Sequence, residues 1–138
     1  VDRTKGHPNI GKWVVKLGEA KNLVADQSMR FATVGMQDPT IPALYASAYL
    51  ESFGDMACAF YLLQAALIAD QALTRLYAEA KAVTVTDKKK LVADNPEAKF
   101  YHGKLMSTQF FVHHVLPNVK TRVEIFRSGD RTPLDCEF

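Results

Sequence analysis

Two carboxylates one helical turn apart, Glu51 and Asp55, are the first residues whose type and spacing could do chemistry. In a helical bundle such a pair could join a di-metal centre. That centre draws a Glu from each of two helices and a Glu-x-x-His from each of two others. The chain contains no Glu-x-x-His, and Glu97 and His102 are five residues apart, on different faces of a helix. The four histidines are His7, His102, His113 and His114. His102 and His113 share a helix face to within ~20° but stand ~16 Å apart along the axis, too far for one ion. His113 and His114 are adjacent and point about 100° apart. One of them is expected to meet an apolar stripe as a hydrogen-bonded core or boundary histidine. A proton-transfer role has no visible partner carboxylate.

Other reactive patterns are missing. The sequence has no G-x-G-x-x-G, no G-x-x-x-x-G-K-[ST], no G-x-S-x-G, no C-x-x-C and no H-E-x-x-H. The two cysteines, Cys58 and Cys136, are far apart and too few for a disulfide scaffold. Both read as thiols in a reducing compartment, which implies a cytoplasmic protein. Phe60-Tyr61 and Phe110-Phe111 could line a cofactor pocket, but at helical spacing they are expected in the core. No catalytic, cofactor-binding or metal-ligating residue is assigned.

The elements that would position any such residues are helices. With 138 residues the chain makes one domain. Hydrophobic residues are 48% and charged residues 23%, which excludes a disordered chain. A net charge of +2 gives no basic excess for nucleic acid. The run Lys88-Lys89-Lys90 neutralises too few phosphates to change that.

From about Asn9 to Gln37, the residues Ile10, Trp13, Val14, Leu17, Ala20, Val24, Phe31 and Val34 recur every three or four positions, one face of a helix. Asp38-Pro39 ends it, and Asp38 or Thr40 can cap the next helix with Pro42 in its first turn. That helix is expected to run from Pro42 to about Ala82. It is apolar on several sides, so it is expected at the centre, buried nearly all round. Gly54 within it marks a bend or, preferably, a close approach of another backbone. The apolar run Met56–Ala69 is shorter than a bilayer span needs.

Val83 to Asp94 reads as a polar, solvated connection. Asn95-Pro96-Glu97 is a strong helix start, and the third helix follows to Arg127. Its stripe is Tyr101, Leu105, Val112, Val115, Val119, Val123 and Phe126, with a kink expected at Pro117. Gly129 suits a left-handed cap. The expected fold is therefore all-α, an up-down bundle of three long helices, or four or five if broken at Gly54 or Pro117. Residues 1–8 form an irregular segment, 9–129 the bundle and 130–138 a tail.

Two stretches together resemble a known family. One is Tyr49-Leu50-Glu51-Ser52-Phe53-Gly54 with the Ala/Leu-rich Met56–Ala69. The other is Ala98-Lys99-Phe100-Tyr101 through Phe111-Val112-His113-His114-Val115-Leu116-Pro117. They resemble the C-terminal helical domain of long-form bacterial acyl-CoA dehydrogenases. The resemblance covers roughly Asn9 to Gly129; the insertion Val83–Asp94 and the first eight residues depart from it. It implies an accessory domain that packs on an upstream catalytic body or a neighbouring subunit and is not catalytic alone. It also implies FAD and the acyl-CoA substrate in upstream domains, and a homo-oligomer. No family catalytic residue maps onto this chain, and Val1 then reads as the start of an excised domain. A free-standing helical interaction module is the alternative. A peripheral membrane domain is weakly supported, because no helix pairs a Lys/Arg-rich face with low overall hydrophobicity.

Overall fold

A computed structural model of the chain describes residues 10–136. The expected segment 1–8 lies outside the described residues. The described chain is all-α, with no strand among those residues. Its elements are α1 (Gly11–Gly35), α2 (Thr40–Leu44), α3 (Ala46–Glu79), α4 (Val85–Asp94), α5 (Pro96–Phe110), a π-turn (Phe111–Val115) and α6 (Asn118–Ser128).

α1 buries the stripe that its periodicity predicts: Val14, Leu17, Ala20, Val24 and Phe31. α3 runs antiparallel to it, and α5 with α6 returns along the same covered side of α3, with α6 packed on α1. One core cluster joins Val14, Leu17, Ala20 and Val24 of α1 to Ala59 and Leu63 of α3 and to Val112, Leu116 and Val119. A second holds Phe31, Val123 and Phe126. A third, at the far end of α3, holds Leu73, Leu76 and Ala98. The 34-residue α3 is thus the shared spine. Its first half packs on α1 and α6, its second half on α5.

Three expectations need correction. First, Val83–Asp94 is solvated as expected, with residues 83–90 exposed, but it is not merely a connection, because most of it is α4. Thr84 and Asp87 form a capping box: the Asp87 N–H donates to Thr84 Oγ1 at 3.1 Å, and the Thr84 N–H donates to Asp87 Oδ2 at 3.1 Å. The signal was Thr-x-x-Asp. Leu91 and Val92 give α4 an apolar side against the third cluster, while Lys88 sets its ammonium 5.3 Å from the Tyr77 ring centroid.

Second, α3 is not buried nearly all round. Leu50 (72% exposed), Tyr61 (67%) and Ile68 (65%) stand on its outer face. The reason is supply: the other helices cover one side of a long α3 and leave none for the other. By length and composition α3 could cross a membrane, yet Ala59, Leu63, Ala66, Ala69 and Leu73 are buried in the bundle. Third, α3 passes through Gly54 unbroken, and a Cβ there would meet nothing within 4 Å. Among the described residues no backbone makes the close approach expected there. The extra break falls instead at Tyr45, between α2 and α3.

The kink expected at Pro117 is a π-turn. Proline has no N–H, so the carbonyl one turn earlier loses its partner. The helix widens just before it, and the Leu116 N–H donates to Phe111 O, five residues back, at 2.9 Å. α6 then starts afresh after Pro117 and ends at Gly129, whose φ of 66° is left-handed.

Asn95 caps α5 as its sequence predicts: its Oδ1 accepts from the N–H groups of Glu97 (2.8 Å) and Ala98 (3.0 Å). Asn95→Ala is expected to cost about 1 kcal/mol, measured as a lower urea midpoint with an unchanged slope.

The tail is tied down. The Asp38 carboxylate accepts from the Thr40 N–H at 3.0 Å, from the Thr40 hydroxyl, and from Arg131. The Tyr45 hydroxyl donates to Asp130 O at 2.8 Å. The Thr40 side-chain bond, then Arg131, lowers the Asp38 pKa to about 2. A lowered folded-state pKa means that the ionised form is held by the fold. The tether is therefore at full strength above the ordinary aspartate value of about 3.9 and is lost as pH falls through about 2. The protection of the Thr40 amide against exchange, relative to its intrinsic rate, is expected to fall over that interval, and Asp38→Asn to remove that fall.

Candidate functional site

Glu51 and Asp55 are engaged with an arginine. Arg122, on α6, donates from Nη1 to Asp55 Oδ2 at 2.6 Å and from Nη2 to Glu51 Oε2 at 3.2 Å. The one-turn spacing of Glu51 and Asp55 on α3 sets the two groups to receive both edges of one planar guanidinium. Arg122 and Asp55 are largely shielded from water, whereas Glu51 is open. The arrangement locks α6 to α3.

The histidines do not converge. His113 and His114 are both exposed, which corrects the expectation that one of them meets the apolar stripe. The π-turn rotates them outward, and His114 stacks on Phe110 at 4.6 Å between ring centroids. His102 is half-buried, and His7 lies outside the described residues. Cys58 and Cys136 are free and exposed; the apolar stretch around Cys58 does not bury it.

Phe60, Tyr61 and Phe110, expected in the core, are on the surface at 40%, 67% and 60% exposure, and Phe111 is half-buried. Phe60 and Tyr61 rim a shallow groove of about 340 Å³ between α1 and α3, with Leu17, Gly18, Phe53 and Met56 forming most of the rest. Lys21 is the one charged side chain on its wall. A small-molecule pocket pairs an apolar wall with a few convergent polar groups, and this groove lacks them.

Beside the groove, the outer side of α3 carries an unbroken uncharged stripe: Leu50, Gly54, Ala57, Tyr61, Gln64 and Ile68, all exposed. Their spacing alternates between four and three residues, so they form a single line along the helix. It lies opposite the side that holds Ser52, Ala59, Leu63, Ala66 and Leu73 in the core.

This geometry is a scaffold with an open apolar face. A family model described as acetyl-CoA dehydrogenase C-terminal like matches residues 1–137. The chain belongs to that family. No curated protein and no solved structure matches it.

Within this acyl-CoA dehydrogenase C-terminal-like domain, the two stretches that carry the resemblance have distinct structural duties. Tyr49 is a hub: its hydroxyl is hydrogen-bonded with the Ser28 hydroxyl. Its ring meets Phe31 and Phe53 edge-on, each with centroids 5.1 Å apart. Glu51 serves Arg122, and Gly54 belongs to the outer stripe. The second stretch, Phe111 to Pro117, is the π-turn and its stop, with Val112 and Leu116 turned into the core. Sequence reasoning missed the Arg122 fork, because its members are 67 residues apart in the case of Asp55. It also missed the outer stripe, whose apolar side chains look like core until the bundle leaves them uncovered.

Proposed function

We propose that the chain is the accessory C-terminal helical domain of an FAD-dependent acyl-CoA dehydrogenase of fatty acid metabolism in the cytoplasm. It packs on the catalytic body or on a neighbouring subunit and is not catalytic alone. The observation that supports this reading best is the open apolar face of α3 in a domain of that family: a surface for another protein surface, without a reactive constellation beside it. The groove residues do not fit a flavin. Leu17, Phe53, Met56 and Phe60 offer neither phosphate-binding turns nor hydrogen-bond partners for an isoalloxazine ring. On this reading the flavin and the acyl-CoA are held by upstream domains, and the contribution of this chain is to hold surfaces together.

The test has two parts. The 138-residue chain, purified alone, is expected to show no flavin absorbance and no acyl-CoA dehydrogenation; activity from it overturns the reading. The coding sequence upstream of Val1 is expected to continue in frame into flavin-binding domains. A start codon directly before Val1 overturns the accessory-domain reading in favour of a free-standing helical module.

A further inference from the structure

We propose that the outer stripe of α3 is the two-fold seam of a homodimer, in which α3 packs antiparallel against α3 of a second copy. The proposal narrows the accessory-domain reading, in which this face meets the catalytic body or a neighbouring subunit, to a second copy of this chain. It applies equally to a domain that joins two larger subunits and to a free-standing chain.

The first argument is continuity. From Leu50 to Ile68 the line runs ~27 Å along the helix without a charged side chain. Glu51 and Asp55, the nearby charges, are turned to Arg122. On ring areas of about 150–250 Å² each, the exposed parts of Phe53, Phe60 and Tyr61 amount to roughly 300 Å². Leu50 and Ile68 lie on the same surface, each with most of its area exposed. A patch of this extent lies within the range of the largest patches on typical monomers, about 300–600 Å², which are often functional. Counted on two copies, it approaches the ~1,200 Å² at which specific interfaces begin.

The second argument is self-complementarity. The spacing four-three-four-three-four reads the same from either end. Turning a second copy end for end, with the two-fold axis at the height of Ala59, sets Leu50 opposite Ile68, Gly54 opposite Gln64 and Ala57 opposite Tyr61. The larger side chains Gln64 and Tyr61 fall on Gly54 and Ala57. An isologous contact requires that one surface be the complement of itself, and a contact with an unrelated surface has no such need. The alternation of four and three is also the period of knobs-into-holes packing between helices at a small crossing angle.

The third argument is Gly54. A mid-helix glycine costs roughly 1 kcal/mol against alanine, yet among the described residues nothing lies within 4 Å of where its Cβ would be. Opposite Gln64 of a second copy, the missing side chain has a purpose: it lets the two helix backbones draw together. A lipid surface would gain nothing from Gly54 or Ala57 and would call for a basic border. Among the residues lining the groove beside the stripe, Lys21 is the single cation.

Sedimentation equilibrium of the 138-residue chain is expected to give a mass that rises from 15.4 kDa towards twice that value over the micromolar range. The rise is expected to be insensitive to salt, because the seam carries no charge. Ala57→Glu and Ala57→Lys each place like charges near the two-fold axis. Each is expected to remain monomeric with an unchanged far-ultraviolet circular dichroism spectrum, because Ala57 is exposed. Mixing the two variants is expected to restore a dimer, which neither misfolding nor a loss of general stickiness would do. A wild-type chain that stays monomeric throughout overturns the proposal. So does a dimer that survives Ala57→Glu, or a mixture of folded variants that fails to associate. A monomer that co-sediments with anionic vesicles overturns it in favour of a lipid surface.

Discussion

Replacing Phe126 by alanine is expected to destabilise the domain by about 3–5 kcal/mol, the usual range for deleting a buried phenylalanine ring. Phe126 is 2% exposed, and its ring meets three others: Tyr45 at 5.4 Å, Phe31 at 5.5 Å and Tyr49 at 6.2 Å between centroids. Those rings come from α1, from the break before α3 and from α3 itself. The cavity would open where three elements meet and where none can collapse without moving the others. Aromatic edge contacts add about 0.5–1.5 kcal/mol per pair beyond area, which places this site towards the upper part of the range. Urea unfolding with an unchanged slope and a lower midpoint would show it. A loss below about 1 kcal/mol, the mean for ordinary substitutions, would mean that α6 does not seat on α1 as described.

Gln27→Met is expected to act in the opposite direction and raise stability by about 1–3 kcal/mol. Gln27 is 1% exposed, between Val24 and Phe31 on the buried face of α1. Among the described residues neither its Oε1 nor its Nε2 meets a hydrogen-bond partner. A buried amide left unpaired costs about 1–3 kcal/mol, and an apolar side chain of the same shape removes that cost. Methionine matches glutamine in length and flexibility, so the substitution changes polarity with little change in packing. Thermal unfolding checks it: a gain of that size raises the midpoint by several degrees for a domain of this length. A variant less stable than the wild type would show that the amide is satisfied by a group that supports the fold.

The electrostatic lock at Arg122 carries a different lesson. Glu51 and Asp55 at one-turn spacing were legible as a unit, and their ability to hold a cation was legible too. That the cation is a guanidinium on α6 was not, because nothing local to either stretch brings residue 122 to residue 55. The same distinction runs through the helices. The start of α5 was readable because Asn95, Pro96 and Glu97 act on neighbouring backbone groups. The end of α6 was readable because Gly129 supplies a conformation that other residues resist. α4 was equally local, announced by Thr84 and Asp87, and was hidden only by the polarity of its lysines.

By itself the sequence determined the features that arise within a few residues. These are the apolar stripe of α1, the caps of α4, α5 and α6, the break at Pro117 and the all-α class that follows from them. It also carried the family, because Tyr49–Gly54 and Phe111–Pro117 are short, contiguous patterns. Only the tertiary structure decided which apolar residues are core. Phe126 and Phe60 are the same residue type at helical spacing, yet one is sealed among three rings and the other rims an open groove. Hydrophobicity states a preference to leave water, but the number and placement of neighbouring helices decide how much of that preference is met. In this bundle one side of α3 is covered and the other is left exposed.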